Sequence, residues 1–258
     1  MSYYNFSLFA TGFVLIWLVL FTYILNASQG QSNMTSSISN PMNEGGIASD
    51  IYQNKMMTFG GNVKKIILLL PNEGHESPTL PQEQRLINQP YVPANIIIGP
   101  NTQIAWINGD VGHTHSVTVL DNDAKQVFSS GKFGFNSLTT SLVLNNSGKF
   151  TYSESNVNKD DPKFVMDGTI IVQEKLSNAN QLPETVGFLM VPAKDLDKHV
   201  SELTSKGIEV LDKYTFKDLR GGQKGTGTQQ SLLLLGSKNG QDELVSALES
   251  ITPTLPYS

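Results

Sequence analysis

The sequence predicts a mainly β protein: a β-sandwich followed by a small α+β domain, both behind an N-terminal transmembrane helix. Three observations carry that expectation. An apolar run from Leu8 to Leu25 opens the chain. Short β-rich segments separated by Gly, Pro and Asn turns fill the middle. After Leu182-Pro183 the pattern changes to alternating strand-like and helix-like segments.

The opening run is interrupted only by Thr11, Gly12 and Thr22, and Tyr3, Tyr4, Trp17 and Tyr23 lie near its ends or within it. As a helix it spans about 27 Å, close to the hydrocarbon thickness of a bilayer. Residues 1–25 are therefore expected to form a membrane anchor. The rival is a cleaved signal, for which Asn26-Ala27-Ser28 offers small residues. The length of the run and the lack of Lys or Arg before Lys55 favour a retained anchor. Residues 26–61, rich in Ser, Asn, Gln, Gly and Met, read as a flexible tether. Met34, Met42, Met56 and Met57 are soft sulfur donors, but their irregular spacing is that of ordinary linker methionines.

Strands are expected at Lys65–Leu70, Tyr91–Ile98, Gln103–Ile107, Ser116–Leu120, Phe133–Leu144, Lys149–Tyr152 and Thr169–Gln173. Turn residues such as Gly99-Pro100-Asn101 and Asn108-Gly109-Asp110 separate them. This spacing suggests a sandwich over residues 62–175, roughly 110 residues, within the usual range for Greek-key domains. Residues 184–258 then read β–α–β–β–α: a strand Thr185–Val191, a helix Ala193–Lys206 stopped by Gly207, strands Ile208–Phe216 and Gln229–Leu235, and a helix Gln241–Ser250. That order suggests a small ferredoxin-like domain.

Composition removes several function classes. Cysteine is absent, which excludes disulfides, thiolate nucleophiles and thiolate metal sites. Net charge is −5 and the basic residues are not clustered, so nucleic acid is not an expected partner. Arg220–Gly227 is glycine-rich but lacks the Gly-Lys-Thr order and precedes a strand, so it is no phosphate loop. No nucleophile is paired with a base in the sequence, and an enzyme is not expected.

The segment Tyr91-Val92-Pro93-Ala94-Asn95-Ile96-Ile97-Ile98, then Ile104-Ala105-Trp106-Ile107-Asn108-Gly109-Asp110 and His115-Ser116-Val117-Thr118, resembles the cupredoxin family of plastocyanin- and azurin-like domains. The resemblance continues through Phe128-Ser129-Ser130-Gly131 and Gly148-Lys149-Phe150-Thr151-Tyr152 to Met166-Asp167-Gly168-Thr169-Ile170-Ile171-Val172. It covers about residues 63–173 and implies a cupredoxin-like sandwich, a copper ion, and electron transfer or copper handling outside the cytoplasm. The site that it implies is degenerate. Glu154 falls where the family carries its cysteine, Asp161-Pro162 where it carries His-Pro, and Met166 where it carries the methionine before Gly168.

Strand alternation reads the histidines separately. Positions 113, 115, 117 and 119 share one side, and Val117 and Val119 are apolar, so His115 stands at the rim end of a core-facing row. His113 lies two residues earlier on that side, where the pair could hold one metal together. The plain alternative is a structural His115 and an exposed His113. Candidate metal ligands are thus His115, His113, Met166, Glu154 and Asp161. Imidazole and carboxylate suit Cu(II) in a tetragonal N/O site, and Zn(II) nearly as well. His75 and His199 are expected at the surface. The expected protein is held at the cell membrane by one pass through lipid, its bulk extracytoplasmic, with a redox or membrane-complex protein as partner. The alternative is a metal-free structural or binding module of a membrane complex.

Overall fold

The computed structural model describes residues 46–71, 90–154, 166–176, 182–218 and 228–251. The expected anchor over 1–25 and most of the tether lie outside them, as do His75, Asp161 and the loop 219–227. Among the described residues no helix is long and apolar enough to cross a membrane.

The chain forms two mixed six-stranded sheets facing one apolar core. It enters through a short helix α1 (Ile47–Tyr52) and strands β1 (Met57–Thr58) and β2 (Lys65–Leu70). It continues through β3 (Asn95–Ile98), β4 (Gln103–Asn108), β5 (His115–Leu120), β6 (Gln126–Phe133), β7 (Leu142–Val143), β8 (Gly148–Ser153) and β9 (Asp167–Val172). Strand β10 (Thr185–Pro192), helix α2 (Leu196–Ser205), β11 (Glu209–Asp218), β12 (Thr228–Ser237) and helix α3 (Gln241–Ile251) complete it. The first sheet has the order β1-β3-β9-β8-β5-β6 and the second β11-β12-β10-β2-β4-β7.

Sequence pattern explains which strands lie where. β5 alternates His115, Val117 and Val119 inward with Ser116, Thr118 and Leu120 half-exposed, as a strand with one wet face must. In β2, Lys-Ile-Ile-Leu-Leu-Leu is buried at every position. It lies between β10 and β4, parallel to both, where neither face meets water. Trp106 of β4 packs on Tyr152 of β8 across the core, ring centroids 5.4 Å apart. Gly168 in β9 sits beneath Tyr152, and a Cβ there would overlap that ring and the Ala94 carbonyl oxygen.

Three expectations change. Residues 26–61 are not tether throughout: α1 packs on β11 and β12, and β1 pairs with β3. The Tyr52 ring packs tilted against Tyr214 and Phe216, centroids 4.8 Å away in each case, and the Ala48 N–H donates to Asp212 at 2.8 Å. Polar composition concealed this segment, although Ile51, Met57 and Phe59 are buried in the core. The expected break between 175 and 184 is also not a structural boundary. The β–α–β–β–α order is present, but β10 pairs with β2, and one compact unit runs Asn43–Ser258. A three-stranded β11-β12-β10 sheet would leave the apolar edge of β10 unpaired, and β2 covers it. Finally, the expected strand Phe133–Leu144 divides: its start closes β6, Leu138 makes a single bridge to Ile107 of β4, and Leu142–Val143 forms a short strand on β4.

Candidate metal centre

The site lies at the end of the sandwich where β4 and β8 finish and β5 and β9 begin. Asn108, fully buried, pins the turn that leaves β4. Its side-chain amide donates to the His113 and Phe133 carbonyls at 3.0 and 3.3 Å, and its oxygen accepts the Asp110 N–H at 2.8 Å. Those bonds turn the Asp110 carboxylate inward, where its side chain is 1% exposed. His115 opens β5 on the core-facing row. On β8, Phe150 and Tyr152 point inward, and Glu154 extends the same row one step past the strand. Its N–H donates to the Met166 carbonyl at 3.1 Å, which continues the β8–β9 ladder.

These elements bring an imidazole between two buried carboxylates. Nδ1 of His115 lies 2.6 Å from Oε2 of Glu154, and Nε2 lies 2.9 Å from Oδ2 of Asp110. The other Glu154 oxygen accepts the Ser116 N–H at 3.3 Å. Burial alone would push His115 down, but the Asp110 and Glu154 carboxylates outweigh it and raise the ring from 6.5 to about 9. Near neutral pH the ring is therefore an imidazolium that donates from both nitrogens.

Sequence reasoning placed four of its five candidates within the described residues. The structure brings His115 and Glu154 together. Met166 is buried and joins Glu154 through the backbone. His113 remains 52% exposed, and its Nδ1 lies 3.4 Å from Oδ1 of Asp110. It meets the site through that carboxylate. Asp161 lies outside the described residues. Asp110 was missed as a site residue, because Asn108-Gly109-Asp110 reads first as a turn. Its signal was a carboxylate five residues before a core-facing histidine. His199, expected at the surface, is buried instead, with Nδ1 3.3 Å from Glu202. It shares the inward stripe of α2 with Leu203, four residues on.

The donor set can be tested against an ion directly. Nδ1 of His115 and the Glu154 carboxylate converge on one spot and hold a proton there. Both are donors that Cu(II) and Zn(II) accept once that proton leaves. Among the described residues no group of three or more such side chains gathers as a ready metal cage. With no cysteine in the chain, a copper–thiolate centre is excluded. Two described groups, His115 and Glu154, offer nitrogen and oxygen donors, and by themselves they do not make a metal cage.

Behind the site stands an aromatic wall. Tyr91 packs on Tyr152 at 4.8 Å, and Trp106 on Phe128 at 5.8 Å. The Tyr152 hydroxyl donates to the Ala94 carbonyl at 2.9 Å, whereas the buried Tyr91 hydroxyl has no hydrogen-bond partner among the described residues. Burial first, and then the charges of Tyr152, Glu154 and Asp167, raise Tyr91 well above its ordinary value.

No family model and no curated protein matches the chain. Several solved structures show partial likenesses. A purple cupredoxin from Nitrosopumilus maritimus is 21% identical over 42% of this chain and 99% of its own, with a TM-score of 0.32. An auracyanin from Roseiflexus castenholzii is 9% identical over 44% and 99%, with a TM-score of 0.33. A copper-containing nitrite reductase from Thermus scotoductus is 18% identical over 43% of this chain and 23% of its own, with a TM-score of 0.30. At these values the likenesses assign no family, and the sandwich rests on its own strand order.

Proposed function

We propose that this chain is a membrane-anchored, extracytoplasmic copper-binding protein with a cupredoxin-like sandwich, in which an N/O site replaces the thiolate centre. The observation that carries the reading is the His115 ring held between Asp110 and Glu154 at the strand-end rim. His115, through Nδ1, and Glu154 would hold the ion, with the ring giving up its Nδ1 proton on binding. Met166, joined to Glu154 by the backbone, and Asp161, seven residues beyond Glu154, are the candidates for further donors. Copper is preferred to zinc by the affinity order for such ligands. Without a thiolate, the site suits copper handling better than fast electron transfer. The apolar run Leu8–Leu25 supports the anchor in lipid, and the protein acts as a binder rather than an enzyme, beside a membrane-complex partner.

A second reading is favoured by the same bonds. Both ring nitrogens already meet carboxylates, so the site is complete as an ion cluster without metal, as a structural module of a membrane complex would have it. Equilibrium dialysis of the purified full chain against Cu(II), with bound metal measured per chain, separates the two. The copper reading expects one ion per chain, lost in His115→Ala and in Glu154→Ala. A wild-type chain that retains no copper rejects it in favour of the metal-free module.

A further inference from the structure

We propose that Asn145 is an N-glycosylation site, modified from a lipid-phosphate-linked oligosaccharide. The inference rests on the extracytoplasmic placement in the reading just given, not on its metal. Asn145-Asn146-Ser147 has the acceptor pattern: asparagine, any residue but proline, then serine or threonine. Among the described residues no other triplet has it. The structure puts this one where a transferase can reach it, because all three residues are exposed in the turn between β7 and β8. The shoulders of that turn are fixed. Leu144 is buried and its carbonyl accepts the Asn101 N–H at 3.0 Å, while Gly148 opens β8 against Val172 of β9. Only residues 145–147 project between them. Other asparagine amides are spent: Asn95 donates to Asn54, Asn108 to two carbonyls and Asn136 to the Glu249 carbonyl. The Asn145 amide makes no such bond among the described residues, so its Nδ2 is open to reaction. In the transfer, Nδ2 bonds to C1 of the first sugar and loses one proton. The C1–O bond breaks, and the lipid phosphate leaves with the bonding pair. Glu154 lies just past the far end of β8, whose six residues at about 3.3 Å each set the turn about 20 Å from the His115 cluster. A bulky, solubilising glycan there covers the opposite pole of the sandwich and leaves the rim of the cluster open to a partner.

The test uses the full chain isolated from the cells that make it, digested with trypsin and read by mass spectrometry with fragmentation. Cleavage after Lys132 and Lys149 releases residues 133–149, a peptide with no internal Lys or Arg. That peptide is expected to be heavier by a whole number of sugar residues, with the fragment ions placing the added mass on Asn145. Asn145→Gln and Ser147→Ala are each expected to abolish it. Ser147→Ala keeps the asparagine, so the loss ties the modification to the acceptor pattern rather than to an exposed amide. Far-UV circular dichroism of both variants is expected to match the wild type, which keeps a folding defect from mimicking the result. Protease added to intact cells, and again after the membrane is opened, tests the placement separately. A bare Asn145 in a chain cleaved on intact cells, or added mass that survives Ser147→Ala, overturns the site while leaving the extracytoplasmic reading standing. A chain cleaved only after the membrane is opened overturns that reading and the glycan together.

Discussion

Removing the ring of His115 would leave two buried carboxylates, Asp110 and Glu154, facing the space that it filled. Taking one partner out of a buried ion cluster costs about 3–5 kcal/mol. The pH dependence makes the claim specific. His115 rises from 6.5 to about 9 on folding. That is about 2.5 units, worth about 3 kcal/mol at roughly 1.4 kcal/mol per unit. Because the folded value lies above the unfolded one, this stabilisation is fully present below pH 6.5. It is lost as pH climbs through 9 and the imidazolium loses its proton. Guanidinium unfolding of the metal-free full chain at pH 6 and pH 10 measures it, with His115→Ala as reference, so that titrating groups away from the cluster cancel in the difference. The gap between wild type and variant is expected to be large at pH 6 and to shrink by about 3 kcal/mol at pH 10. A gap constant to within about 0.5 kcal/mol would show that His115 is not held as a cation, and the reasoning about the cluster would fail.

Four further outcomes are expected. Tyr91→Phe should leave the denaturation midpoint unchanged or raised, because the lost hydroxyl is buried without a partner among the described residues, whereas Tyr152→Phe should cost about 1 kcal/mol through the lost bond to the Ala94 carbonyl. Gly168→Ala should destabilise by about 1–3 kcal/mol or more, since the methyl group would meet the Tyr152 ring and a carbonyl oxygen, and calorimetry reads the drop in Tm. A chain ending at residue 176 should lose cooperative melting, because β2 would lose β10; melting like the full chain would restore a separate C-terminal domain. Glu154→Cys should give copper-loaded protein an intense visible sulfur-to-copper band absent from the wild type, and an unchanged spectrum would place Glu154 away from the ion.

Much of the sandwich was legible because its strands carry clear period-two patterns. Ser116–Leu120 and Lys149–Tyr152 alternate cleanly, and both form strands within a residue of the expected limits. β6 was missed because Gln126–Phe133 lies at a sheet edge and is mostly exposed, which leaves no apolar alternation to read. α1 was missed for a related reason: a six-residue helix has no room for a sustained apolar stripe, and tertiary contacts with Tyr214 and Phe216 hold it. The union of β10 with β2 is invisible to any local pattern, since pairing across that separation is decided by which buried edges remain open. At the site, Glu154 could be found by counting from Tyr152 along the inward row. Asp110 could not, because a loop has no periodicity, and only the bonds of Asn108 reveal which way its carboxylate turns.

Diffraction from copper-soaked crystals, recorded at the copper absorption edge, tests the copper site most directly. The expected result is one anomalous peak between Nδ1 of His115 and the Glu154 carboxylate, with Nε2 still on Asp110. A peak elsewhere would contradict the site, and so would no peak with Nδ1 still 2.6 Å from Glu154.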